Sequence, residues 1–405
     1  MNQRDLFPIS GDAADEEALK SEESIDIVCL SHLRWDFVFQ RPQHLMTRLA
    51  EHHRVFFVEE PRFEDGPDRL QVTEVEAGVN VAVPILATWR RGTDEAAAVQ
   101  RALLRRLMRG ERISDYVLWF LTPMALPLVR DLSPVAVVYD CMDELSAFAG
   151  APPQMKLLEG ELLGLSDLVT TGGRSLYEAK RDRHPNVHVF PSSVDVAHFA
   201  RARGACPEPA DQRAIPRPRL GYAGVIDERM DLGLVRDLAT RRPDWQLVFL
   251  GPFAKIDPAT FPRLPNVHQL GLKAYDELPD YFAGWDVGLL PFAHNDATRF
   301  ISPTKTPEYL AAGLPVVATS IGDVVTPYGA GGLARIADGA DAFEAAAAAA
   351  IAEGRCAQLR EVDALLAHGS WDQTAARMRA LMLDSIAARR DCAGGGAAAA
   401  AGEMP

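Results

Sequence analysis

The sequence predicts an α/β protein of two doubly wound domains that face one another across a central cleft. Three observations carry this. The chain has 405 residues, and single cores stop growing near about 250–300 residues, which implies two domains. Short apolar runs alternate with helical patterns along most of the chain, and buried runs separated by helices belong to parallel sheets covered on both faces. Residues 201–218 hold four prolines and no periodicity, which reads as an interdomain linker.

The elements follow in order. Residues 1–24 are acidic and polar and read as a disordered leader. They lack the basic and apolar regions of a signal peptide, so the expected compartment is the cytoplasm. The N-terminal domain, 25–200, has apolar strands at 25–30, 54–60, 79–84, 116–121, 135–140, 166–171 and 186–191, with helices at 42–52, 94–109 and 154–165. The C-terminal domain, 219–370, has strands at 219–225, 246–251, 266–271, 286–292, 315–320 and 333–338. Its helices are expected near 230–240, 275–283, 305–312 and 340–353. An amphipathic helix, 371–392, follows Ser370 and can pack back on the N-terminal domain; Ser370 or Asp372 would cap it. Residues 393–405 are low-complexity and expected to be unstructured. In such Rossmann-like sheets ligands bind at the carboxyl ends of the strands.

Composition narrows the function. A formal charge of −14 argues against a nucleic-acid partner, which needs a basic footprint. Five cysteines without a Cys-x-x-Cys pair argue against a disulfide framework or a zinc site. No apolar run reaches the length of a membrane span. Residues 90–112 are locally basic, with interleaved leucines. They read either as a peripheral contact with an anionic membrane at the inner face of the plasma membrane, or as a solvated helix packing its leucines on the sheet. No Walker loop and no Gly-x-Gly-x-x-Gly follows the first strand.

The richest segment is Ser302–Ser320, SPTKTPEYLAAGLPVVATS. Pro303 and Pro307 favour a helix start near 304–308, whose free N–H groups suit phosphate oxygens. Lys305 adds charge there, Ser302 and Thr304 add hydroxyl donors, and Glu308 can accept hydrogen bonds from a ribose. In the first half, SHLRWDFVFQRPQHLMTRLA (31–50) places Trp35, Arg41, Gln43 and His44 near the cleft. The stretch VVYDCMDELSAF (137–148) puts Asp140 at a strand end, with Asp143 and Glu144 after it. Crowded carboxylates raise at least one pKa unless cations offset them. Asp143 and Asp140 are therefore both candidates for a general base, with His44 the other contender.

These motifs resemble the GT-B glycosyltransferases. Glu308 followed by Ala311-Ala312-Gly313-Leu314-Pro315-Val316-Val317 is similar to their donor-site signature, and NVHQLGLKAYDELPDYFAGWD (266–286) matches the segment before it. The combination of Trp35, Gln40-Arg41-Pro42-Gln43-His44, Tyr139-Asp140, Asp143 and Ser302–Gly313 resembles the bacterial teichuronic-acid and exopolysaccharide type over about residues 25–390. The resemblance implies a UDP- or GDP-sugar donor, held by Lys305, Arg229 and Gly224 at the phosphates, by Glu308 at the ribose and beside Leu272 at the base. It implies a glycan, lipid-linked or other hydroxyl acceptor on the side of Trp35, Arg41 and Gln43, and no obligatory cofactor or metal. The position of a first donor-site glutamate in many retaining relatives is Phe300 here; Arg299, Ser302 or Thr304 would replace it. Alternatives are a sugar-nucleotide epimerase on the same fold and a non-catalytic nucleotide- or glycan-binding relative.

Overall fold

The structure is a computed structural model that describes residues 25–401. The expected leader at 1–24 and residues 402–405 of the expected tail lie outside the described residues.

The N-terminal domain carries strands β1 (Asp26–Ser31), β2 (Val55–Glu59), β3 (Arg62–Glu64), β4 (Arg69–Glu76), β5 (Val79–Ala87), β6 (Tyr116–Phe120), β7 (Ala136–Cys141), β8 (Leu168–Thr171) and β9 (Val187–Val189). They form one sheet in the order β3-β5-β2-β1-β6-β7-β8-β9, with β4 antiparallel on β5 and every other pairing parallel. Helices α1 (Arg41–Leu49), α2 (Asp94–Gly110), α3 (Met155–Leu165) and α4 (Arg174–Lys180) connect them. All of β1 is buried, because successive side chains feed opposite cores. Ile27 and Cys29 pack with Leu45 and Trp119 on one face, and Val28 and Leu30 with Leu104 and Leu162 on the other. The expected strands are all present. The β3–β4 excursion was not expected, since β4 is largely exposed and gives no apolar signal.

The C-terminal domain carries β10 (Arg219–Ala223), β11 (Gln246–Leu250), β12 (Val267–Gln269), β13 (Val287–Leu290), β14 (Val316–Ala318) and β15 (Ala334–Ile336), all parallel, in the order β12-β11-β10-β13-β14-β15. Its main helices are α5 (Val196–Ala200), α6 (Leu232–Arg241), α7 (Leu278–Ala283), α8 (Lys305–Ala311), α9 (Ala340–Glu353) and α10 (Leu359–Leu366), with a single short turn at Gly322–Val324. Strand order reverses direction beside β1 in the first sheet and beside β10 in the second. Open α/β sheets leave their crevice at such points.

Two expectations about boundaries need correction. Val194, Phe199, Ala202 and Ile215 belong to the core of the C-terminal domain, so the chain crosses between domains near residue 193, ahead of the proline-rich stretch. That stretch is fixed in place: buried Gln212 donates to the Tyr281 carbonyl (3.1 Å) and accepts from Trp285 Nε1 (2.8 Å). The last helix, α11 (Trp371–Ala401), runs through residues 393–401, where no structure was expected; alanine has the highest helix propensity and sustains it. The chain returns to the N-terminal domain beside its first crossing, where Val194 N donates to Gly369 O at 3.0 Å. Trp371, Met378, Met382 and Ile386 then fill the same core as Leu45 and Trp119.

The leucines of α2 are also accounted for. Leu103, Leu104, Leu107 and Met108 are buried against the sheet, so they are not available to enter a membrane. The outward face carries Arg105, Arg106 and Arg109 together with Asp94, Glu95, Ala98 and Ala102. No described helix is long and apolar enough to cross a membrane.

Candidate active site

The cleft between the two sheets is lined from both sides. From the N-terminal domain come Val38, Phe39, Asp143 and Gly172. From the C-terminal domain come Gly224, Arg229, Leu272, Tyr275, Ser302, Thr304, Lys305 and Glu308. The space, counted out to its open mouth, is about 1140 Å³, ample for a nucleotide-sized ligand.

The sequence builds the C-terminal wall by letting backbones approach. Gly224 ends β10 with φ +146°, and a Cβ there would lie 2.2 Å from Lys305 Cε and 2.5 Å from its Nζ. Lys305, the first residue of α8, therefore rests on the glycine. Gly251 has φ +132°, and its Cβ would lie 2.1 Å from the Gly224 carbonyl oxygen. Only glycine permits both the angle and the approach. Arg229 is held by Asp227, with guanidinium contacts of 2.6 and 3.0 Å. Burial opposes that charge, but the Asp227 carboxylate keeps the guanidinium pKa above its ordinary value.

The charged groups of this wall are poised. Burial, then the nearby Arg229 charge, lowers the Lys305 pKa to about 8. Burial raises the Glu308 pKa to about 7, against the pull of Lys305 and a hydrogen bond with Thr304. Among the described residues Lys305 forms no salt bridge. An anion delivered to this place would stabilise its ammonium. Tyr275 stands beside Glu308 with its hydroxyl buried and without a hydrogen-bond partner among the described residues; its ring stacks on His198 at 4.4 Å. The spacing of the sequence did not single out Tyr275.

The N-terminal wall separates the candidate bases. Asp140 is fully buried and does not line the cleft. Its oxygens accept from Arg41 Nη2 (2.8 Å), Arg41 Nε (3.1 Å) and Thr170 Oγ1 (2.8 Å). That occupancy makes it a structural acid rather than a base. Asp143 lines the cleft, and no described side chain or backbone group donates a hydrogen bond to its carboxylate. Burial raises its pKa, while Arg229 counteracts part of that rise. Glu144 turns the other way, onto Lys180 at 2.6 Å.

His44 also needs reassignment. It is buried, stacked on Trp371 at 4.6 Å, and edge-on to Phe39 at 4.7 Å. Burial, then the Arg48 charge, lowers its pKa to about 3, too low for an effective base near neutrality. Of the expected acceptor residues, Arg41 borders the cleft but spends its guanidinium on Asp140 and on the Phe190 carbonyl (2.8 Å). Gln43 is buried and holds the carbonyls of Trp35 and Val38, each at 3.0 Å. Trp35 packs edge-on against Phe57 at 5.1 Å. These residues shape the loop that presents Val38 and the 38%-exposed Phe39 to the cleft. In place of the first donor-site glutamate, Phe300 packs against the core of the N-terminal domain. Arg299 is exposed outside the cleft, while Ser302 and Thr304 line it.

This geometry has relatives. Residues 218–353 match the family described as glycosyl transferases group 1. The matched stretch contains Gly224, Arg229, Lys305 and Glu308. A protein of Bacillus subtilis (strain 168) named for teichuronic acid biosynthesis as the glycosyltransferase TuaH is 28% identical over 225 residues, covering 50% of this chain and 55% of that protein. The chain thus spans about half the length of this curated relative. The whole fold is GT-B. It superposes on sucrose-phosphate synthase from Thermosynechococcus elongatus with a TM-score of 0.68 at 16% identity, over 90% of this chain and 100% of that one. An Escherichia coli structure described as trehalose-6-phosphate bound with UDP-2-fluoro glucose gives 0.64 at 14% identity, over 89% and 99%. The catalytic domain of starch synthase IV from Arabidopsis thaliana gives 0.60 at 11%, over 90% and 100%.

Proposed function

We propose that the chain is a glycosyltransferase. It moves a sugar from a nucleotide-diphosphate sugar, with UDP or GDP as the carrier, to a hydroxyl of a glycan or lipid-linked acceptor in bacterial cell-surface polysaccharide synthesis. The observation that carries this reading is the juxtaposition across the cleft of Asp143, whose carboxylate has no hydrogen-bond donor among the described residues, with Arg229, Lys305 and Glu308. Lys305 and Arg229 take the diphosphate, and charge-assisted hydrogen bonds of this kind are the strong ones. Glu308 accepts from the ribose hydroxyls, and the base lies toward Leu272. Asp143 faces the acceptor and takes the proton from its hydroxyl as the new bond forms, or orients that hydroxyl. Phe39 and Val38 give the acceptor an apolar contact. The name of the Bacillus relative supports the cell-surface assignment. The enzyme works in the cytoplasm, and the arginine face of α2 meets an anionic membrane surface electrostatically, without inserting.

The test is a thermal-shift screen against nucleotides and nucleotide sugars, followed by turnover assays with acceptors. A bound diphosphate raises the melting temperature, and Lys305→Ala removes that rise. Asp143→Asn keeps the shift and lowers turnover by about 10²- to 10⁴-fold. Full nucleotide affinity in Lys305→Ala and Glu308→Ala refutes the donor assignment. Turnover of a nucleotide sugar without acceptor, beyond slow hydrolysis, indicates an epimerase instead.

A further inference from the structure

Helix α4 touches both the opposite domain and the loop that carries Asp143. At its N-terminus the buried carboxylate of Asp323, from the C-terminal domain, accepts from Arg174 N (2.7 Å), Ser175 N (3.0 Å) and Ser175 Oγ (2.5 Å). Gly173, just before the helix, is closed over by the same partner: a Cβ there would lie 2.0 Å from Asp323 Oδ2 and 2.7 Å from Ser302 Cβ. Ser302 belongs to the donor wall, and its carbonyl also accepts from Ser192 Oγ of the other side at 2.6 Å.

The Asp143 loop is held at two places, by Gly172 just ahead of the helix and by Lys180 at its end. Gly172 N donates to Cys141 O at 2.8 Å, and a Cβ on Gly172 would lie 2.4 Å from the Met142 carbonyl oxygen. At the far end, buried Lys180 donates to Glu144 (2.6 Å) and to Glu159 (2.6 Å). Glu159 is fixed in turn by Arg183 (2.9 Å) and Tyr139 (3.2 Å). Asp143 thus sits between Met142, against which Gly172 is closed, and Glu144, which Lys180 of α4 holds.

We infer that α4 couples domain closure to the placement of Asp143, with Asp323 as the closing latch and Lys180 as a positioning residue. The inference deepens the proposed function, on which the role of Asp143 rests. When the domains separate, Asp323 leaves three donors at the start of α4, and the helix loses the contact that sets its position. The Met142–Glu144 segment is tied to that helix through Lys180 and shifts with it. When the donor wall closes, Ser302 and Asp323 dock together on Gly173–Ser175, and the loop returns to place. Asp143 is therefore aligned only while the cleft is shut, which limits loss of the sugar to water.

Hydrogen exchange on the full chain tests this without needing turnover. The amides of Arg174 and Ser175 report the latch, and those of Leu145 and Ala147, bonded to Asp143 O (3.0 Å) and Glu144 O (2.9 Å), report the loop. Asp323→Ala is expected to raise exchange at both pairs by about tenfold or more, as loss of a charge-assisted bond requires; the isosteric Asp323→Asn does so more weakly and guards against misfolding. Lys180→Met is expected to raise exchange at Leu145 and Ala147 while leaving Arg174 and Ser175 protected. Faster exchange at Arg174 and Ser175 alone in both Asp323 variants overturns the coupling. No change at either pair overturns the latch. Addition of UDP or GDP to the wild type slows exchange at both pairs together. If neither nucleotide binds while the variants behave as stated, the glycosyltransferase reading fails and the coupling stands.

Discussion

Gly224→Ala separates what the donor wall does for binding from what it does for stability. The new methyl group would lie 2.2 Å from Lys305 Cε. The obstacle is the far end of a flexible side chain, so the collision is relieved by moving the lysine head aside. Stability falls mainly through the backbone: φ +146° suits alanine poorly, at a cost of about 1–3 kcal/mol. Binding falls through Lys305, which loses its place over Gly224. One hydrogen bond to a charged group contributes about 1.5–3 kcal/mol, which is roughly 10- to 100-fold in the dissociation constant. Titration calorimetry with UDP and GDP measures this. Lys305→Met should lose a similar factor, and the double variant should lose little more than either single one, because both remove one contact. A folded Gly224→Ala protein that binds nucleotide within twofold of wild type refutes the reasoning. So does a double variant whose loss is the product of the single losses.

Two further outcomes follow from the charged groups. The Glu308 pKa is raised to about 7 from 4.5, so the folded state prefers its protonated form. Stability is complete below the unfolded value and falls as pH rises through the folded one. Glu308→Gln should therefore melt higher than wild type above about pH 7, with the difference vanishing near pH 4; ligand-free melting curves across that range check it, and a constant difference contradicts it. Asp140 and Arg41 are both nearly inaccessible, and removing one partner of such a pair costs about 3–5 kcal/mol. Urea unfolding of Asp140→Ala should show that loss, whereas Asp143→Asn should unfold close to wild type; equal stability of the two variants would contradict the division of roles.

The sheets were legible because each buried strand is a run of four to six apolar residues, and the donor wall because Ser302–Pro315 is continuous in the chain. The division between Asp140 and Asp143 was not, since it depends on Arg41, 99 residues away. Local charge crowding describes both carboxylates equally until that partner is placed. Arg41, Gln43 and His44 read as functional because polar residues in a compact motif resemble a site; the fold uses them to brace a loop and a buried pair. Phe39 and Tyr275, which do reach the cleft, look in sequence like ordinary aromatics. Asp323 gave no signal either, because its partners are backbone amides 148 and 149 residues distant. The crossing near residue 193 gives a weaker break in pattern than the four prolines of 201–218, yet buried Gln212 fastens that proline-rich segment to the C-terminal domain.

The return of α11 to the first domain bears on how the polypeptide acquires its shape during synthesis. Domains generally fold as units, N-terminal first, as the chain emerges. Here the face of the first sheet around Leu45 and Trp119 gains Trp371, Met378, Met382 and Ile386 only after the whole second domain has been translated. Until then, the nascent first half carries an unfinished apolar face, a natural place for a chaperone to hold it. The second half meets no such delay, since its own core is contiguous from Val194 to Leu366. The order of completion is thus reversed relative to the order of translation, and the nucleotide-facing wall can be in place before the wall that bears Asp143 is secured.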